Sequence, residues 1–104
     1  MSERFLNHID GKFVPPTTGE YLPVYEPATG QAYAEVAASV RLDVEAACAA
    51  AQRASRTWQN VPTEKRAAML DAIADKLESQ LERFAVAESK DTGKPLSLAR
   101  TVDI

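Results

Sequence analysis

Ala32-Tyr33-Ala34-Glu35-Val36-Ala37-Ala38-Ser39-Val40-Arg41-Leu42-Asp43-Val44-Glu45-Ala46-Ala47-Cys48 is the stretch on which the fold turns. Up to Ala37 the residues suit a short strand, and after Ala38 the apolar period changes from two to 3.6. Val44, Ala47, Cys48, Ala51, Ser55 and Trp58 then follow the i, i+3, i+4, i+7 spacing of one helical face. Arg41, Glu45, Gln52, Arg53 and Arg56 lie largely off it. Ser39, a short hydroxyl residue at the boundary, is the expected N-cap.

Before this switch, Ile9 to Gln31 is rich in Pro, Gly, Thr and aromatics. Short runs such as Lys12-Phe13-Val14 and Tyr21-Leu22-Pro23-Val24-Tyr25 read as strands between breakers. Asp10-Gly11 predicts a two-residue hairpin turn, because both positions tolerate positive φ, joining Phe5–Ile9 to Lys12–Val14. A second turn is expected at Glu26-Pro27-Ala28-Thr29-Gly30, followed by a third strand over Ala32–Ala37.

After the switch, Val61-Pro62-Thr63 interrupts the first helix, and Thr63 is positioned to cap a second. That helix carries Leu70, Ile73, Ala74, Leu77 and Leu81 on one face. Ser79-Gln80 marks a bend, Phe84, Ala85 and Glu88 continue the pattern to Asp91, and Gly93 is the expected C′ residue. Pro95 suits the first position of a third helix. That helix would run through Leu98 to Ile104 without a C-cap, which reads as a truncation. The expected architecture is therefore short N-terminal strands with a hairpin, followed by two to three α-helices. There is no internal repeat, linker or second-domain signal.

Composition bounds what such a chain can do. Of its 104 residues 18 are alanine, whereas Leu, Ile, Val and Phe together number 22. That is just above the fraction at which chains cease to fold, so the expected core is thin. A net charge of −3 offers no basic surface for phosphates and argues against a nucleic-acid partner. The longest uninterrupted apolar run, Ala46 to Ala51, is far too short for a membrane span, and Met1-Ser2-Glu3-Arg4 does not open a secretory leader. A soluble, cytoplasmic protein is expected, and the single cysteine, Cys48, fits a reducing compartment.

Each candidate for chemistry has a plainer explanation. Cys48 sits among alanines with no base at local spacing and reads as a buried, inert packing residue. His8 has no cysteine or second histidine at ligand spacing. Glu78, Glu82, Glu88 and Asp91 recur at helical intervals, which a solvated face explains. Gly93-Lys94 lacks the earlier glycine and the following Ser or Thr of a phosphate loop, and no GxGxxG occurs. No catalytic or cofactor-binding residue is assigned.

Three separated segments nevertheless resemble the beginning of the aldehyde dehydrogenase superfamily. Ile9-Asp10-Gly11-Lys12-Phe13-Val14, with Tyr25-Glu26-Pro27-Ala28-Thr29-Gly30, is similar to its opening hairpin and Pro-x-Thr-Gly turn. Asp43-Val44-Glu45-Ala46-Ala47 through Ala50-Ala51, then Trp58 and Arg66, resembles its alanine-rich helix and the start of the next. Glu88-Ser89-Lys90-Asp91-Thr92-Gly93-Lys94-Pro95 resembles the Glu-x-x-Asp-x-Gly-Lys-Pro stretch that closes the second helical segment. Ala87–Asp91 and Leu96–Ile104 are especially similar to the 2-aminomuconic and 2-hydroxymuconic semialdehyde dehydrogenases, which implies aromatic catabolism.

The resemblance implies that residues 1–104 form the N-terminal part of the cofactor-binding domain of a longer, α/β, Rossmann-like oxidoreductase. It implies an aldehyde substrate, NAD or NADP as cofactor of the full-length enzyme, and a homo-oligomer. The family's chemistry runs through a cysteine thiolate, a thiohemiacetal and a thioester to the carboxylic acid. Its nucleophile follows a Gln-x or similar polar context far downstream, and Cys48, between Ala47 and Ala49, does not match. The fragment alone is thus expected to be inactive and to bind no cofactor. In some relatives a structural monovalent cation is held at positions that correspond here to Val24, Tyr25 and Asp91; backbone carbonyls and a carboxylate suit a hard cation. The alternative from another class is a small, non-enzymatic helical interaction module derived from the same segment.

Overall fold

A computed structural model describes residues 3–104. Five short strands precede the helices: β1 (Glu3–Phe5), β2 (Asn7–Ile9), β3 (Lys12–Val14), β4 (Tyr21–Glu26) and β5 (Gln31–Ala37). Four helices follow, α1 (Arg41–Trp58), α2 (Thr63–Ser79), α3 (Leu81–Thr92) and the single turn α4 (Leu96–Leu98), which runs into a π-helical turn over Ala99–Asp103. The chain divides into two compact units. One comprises the residues up to Tyr25 with Ala32–Asn60, the other Glu26–Gln31 with Val61–Ile104.

In the first unit, Asp10 at φ +54° and Gly11 at φ +75° form the predicted turn. Positive φ at both central residues gives a hairpin turn whose twist matches its strands. It sets β2 against β3 in antiparallel register, Asn7 with Val14, His8 with Phe13 and Ile9 with Lys12. The expected first arm, Phe5–Ile9, is broken at Leu6. Residues 3–5 instead pair in parallel with β5, Arg4 opposite Glu35 and Phe5 opposite Val36. The resulting three-stranded sheet has the order β1-β5-β4. Arg4 helps hold this pairing: its Nε donates to Glu35 at 2.9 Å, and its guanidinium lies 4.1 Å from the centre of the Tyr21 ring.

The start of α1 differs from expectation. Val40, in an extended conformation, is the N-cap, and its N–H donates to Asp43 Oδ2 at 2.8 Å. Ser39 is drawn away from the helix end by a hydrogen bond from its hydroxyl to Asn7 Oδ1 at 2.9 Å. A serine engaged across the fold cannot also serve the first turn, so an acidic residue three positions into the helix does so. The side that α1 turns to the hairpin overlaps the predicted stripe at Ala47 and Ala51, with Ala50 and Ala54 in place of Cys48 and Ser55. Ala50 is buried there, Ala47, Ala51 and Ala54 face His8–Gly11 across an open cavity, Val44 borders Asn7–Ile9, and Cys48 is exposed.

In the second unit, α2 begins one residue before the predicted start, with Pro62 rather than Thr63 as its N-cap, and ends at Ser79, so that Leu81, expected on its face, opens α3 instead. The Pro62 carbonyl accepts from the N–H groups of Lys65 and Arg66 at 3.0 and 3.1 Å. Thr63 is the first helical residue and receives a 3.4 Å bond from Arg66 Nη2. As the first helical residue, Thr63 lies inside the first turn and not in the flanking position from which a side chain caps. Gln80 separates α2 from α3, and Gly93 closes α3 in the left-handed region at φ +80°, both as expected. Pro95 caps α4 from just outside, one position earlier than predicted.

The interior is as thin as composition implied. Ala34, Ala50, Ala85 and Ala99 are the buried apolar residues, and no large side chain is fully buried among the described residues. Leu70, Ile73 and Leu77 line one face of α2 as their spacing predicts, yet they are 68, 55 and 42% exposed. A Leu or Ile side chain left this open forgoes roughly half of the ~1.5–3 kcal/mol that full burial contributes.

Candidate functional site

The best-organised polar cluster in the first unit centres on Asp43, which is buried at 7% exposure. Its Oδ1 accepts from the Thr17 hydroxyl at 2.5 Å and from the Thr17 N–H at 2.9 Å, while Oδ2 takes the Val40 N–H. One carboxylate thereby ties the loop after β3 to the first turn of α1. These donors, the Thr17 hydroxyl first among them, hold the Asp43 carboxyl below its ordinary range against the opposing effect of burial. A negative charge at a helix N-terminus is further favoured by the helix dipole. Sequence reasoning assigned Asp43 no role of its own; the signal that could have found one is an acid at the third helical position.

Beside this cluster, Asn7, His8, Ile9, Ser39, Asp43, Val44 and Ala47 line an open cavity of about 180 Å³. His8 packs edge-on against Phe13, with ring centroids 4.8 Å apart and planes inclined at 71°, as cross-strand neighbours do. That contact accounts for its ring as part of the hairpin. Cys48, expected to be buried, is exposed instead: the side of α1 towards the hairpin carries Ala47, Ala50, Ala51 and Ala54. Exposure alone does not activate a thiol, and Cys48 sits between Ala47 and Ala49 on its helix.

In the second unit the Gly93-Lys94-Pro95 segment is held by its own contacts. The Ser89 hydroxyl donates to the Lys94 carbonyl at 2.6 Å, and the Gly93 N–H to the Ser89 carbonyl at 2.9 Å. A Cβ built on Gly93 would lie 3.1 Å from Pro27 Cβ, so at this glycine the Pro-Ala-Thr-Gly turn approaches the end of α3 closely. That turn closes with the Gly30 N–H donating to the Glu26 carbonyl at 2.8 Å. Lys94 Nζ reaches Asp103 at 2.9 Å, which raises the lysine's pKa. Arg100 grips Glu82 with two bonds of 2.7 and 2.6 Å, lowering the glutamate's pKa. Glu82, expected on a merely solvated face, therefore has a specific partner.

Val24 and Tyr25 are neighbours on β4, Val24 half-buried and Tyr25 exposed, and Asp91 lies in the last turn of α3. Among the described residues no group of three or more His, Cys, Asp or Glu is placed to hold a metal ion. None of the clusters sets a nucleophile beside a base, and what the conspicuous residues do is join elements: Asp43 a loop to a helix, Gly93 a turn to a helix end, Glu82 and Arg100 a helix to the terminal turn.

The sequence and fold define a class. Residues 13–104 match the aldehyde dehydrogenase family, and the chain belongs to that family. It is similar to the 2-aminomuconic semialdehyde dehydrogenase of Homo sapiens, 47% identical over 98 residues, which are 94% of this chain and 20% of that protein. It is also similar to acetaldehyde dehydrogenase 2 of Cupriavidus necator, 40% identical over 98% of this chain and 20% of that protein. The chain thus spans about a fifth of the length of the curated relatives it matches. Among solved structures, PnpE in complex with nicotinamide adenine dinucleotide superposes with a TM-score of 0.92 at 34% identity, covering 100% of this chain and 21% of that one. A variant aldehyde dehydrogenase from Bacillus cereus gives 0.93 at 33% identity, covering 97% and 21%. The strands followed by helices are accordingly a portion of that family's α/β fold.

Proposed function

We propose that these 104 residues are the N-terminal part of the cofactor-binding domain of an enzyme that oxidises an aldehyde to a carboxylic acid with NAD(P)+ as hydride acceptor. The nucleophilic cysteine and the groups that contact the nicotinamide belong, in this reading, to sequence outside these residues, and the chain alone does not turn over. The observation that carries the reading is a family match along residues 13–104 in a chain whose polar clusters connect elements instead of surrounding a reacting atom. The open apolar face of α2 supports it as well, since Leu70, Ile73 and Leu77 are suited to packing against further protein.

For the substrate we favour a muconic semialdehyde, because the relatives of that name from human, mouse and cow are 45–47% identical. The test compares the purified 104-residue chain with a protein in which the downstream sequence is restored. Both are assayed for NAD+ reduction with 2-aminomuconic semialdehyde and, separately, with acetaldehyde. No reduction by the short chain, together with faster turnover of the semialdehyde by the long one, is expected. Turnover by the short chain overturns the fragment reading, and preference for acetaldehyde overturns the substrate.

A further inference from the structure

We draw no further inference here: the strongest candidate, the open apolar face of α2 formed by Met69, Leu70, Ile73 and Leu77 with the shallow groove that Leu77, Leu81 and Ile104 line beside it, carries nothing beyond the function proposed above because nothing in the structure shows which segment or partner covers it.

Discussion

Asp43 and Thr17 are joined twice, once through the threonine hydroxyl and once through its backbone N–H, and both bonds end on the same carboxylate oxygen. The other oxygen is committed to Val40 at the start of α1. Removing the side chain therefore deprives two backbone donors of a partner and severs a loop from a helix. Asp43→Ala is expected to lower Tm by about 5 °C or more. Thr17→Val, which keeps the backbone bond, is expected to have the smaller effect. Because the two side chains share one bond, the double variant should lose less than the sum of the singles, a comparison that thermal unfolding of all four proteins makes directly.

The same carboxylate sets a pH dependence. Its donors favour the ionised form, so the folded-state pKa lies below the ordinary carboxyl value of 3.8. The unfolded chain consequently binds the proton more readily, and stability rises with pH across that interval. The contribution is complete above the unfolded value and disappears as pH falls through the folded one. Denaturant midpoints of the parent and of Asp43→Asn should thus differ most near neutrality and converge in acid. A gap that stays constant down to about pH 2 would contradict this account.

Gly93 and Gly30 provide a matched pair, with φ of +80° and +70°. Alanine at either position meets the left-handed penalty of about 1–2 kcal/mol. At Gly30 nothing lies within 4 Å of the added methyl, whereas at Gly93 it would press on Pro27 at 3.1 Å. Gly93→Ala should be the more destabilising by urea unfolding. Equal losses would show that Pro27 yields freely.

Glu82 and Arg100 form a short ion pair of 2.6 Å in the second unit, but both are well exposed, so salt should screen their attraction. At low ionic strength Glu82→Gln is expected to melt slightly below the parent. In about 1 M salt the two melting curves should coincide.

Cys48 offers a direct test of how α1 is turned. An exposed thiol takes up one equivalent of a colorimetric disulfide reagent in the folded 104-residue chain without denaturant. Cys48→Ser should leave the melting temperature nearly unchanged, as surface substitutions do. A thiol protected until unfolding would mean that the helix presents the stripe predicted from periodicity.

Much of the fold was legible because it is written in local chemistry. Asp10-Gly11 can form one kind of turn, Gly93 adopts a backbone conformation costly to other residues, and the Leu70-Ile73-Leu77 spacing has only one helical reading. What escaped was decided at a distance. Arg4 takes up Glu35 and Tyr21 from strands 31 and 17 residues away, splitting the first arm at Leu6. Ser39 is a good cap in isolation but is claimed by Asn7, which leaves the task to Asp43. The face of α1 was only partly legible: Ala47 and Ala51 of the predicted stripe do face the hairpin, but large apolar residues dominate a periodicity argument, and the buried position proved to be Ala50. The pairs that join elements, Asp43 with Thr17 and Glu82 with Arg100, were out of reach for the same reason, since each links groups far apart along the chain.

The four buried alanines have a consequence for how this segment can vary. In most proteins the informative interior substitutions are those that shave a large side chain down to a methyl group. Here the enclosed positions already carry the methyl, so a conventional alanine scan would pass over them in silence. The sensitive direction is enlargement: Ala85 and Ala99 have no exposed surface, so a larger side chain at either must be accommodated by its packed neighbours. The exposed Leu70 and Leu77 of α2 carry no such constraint within these residues.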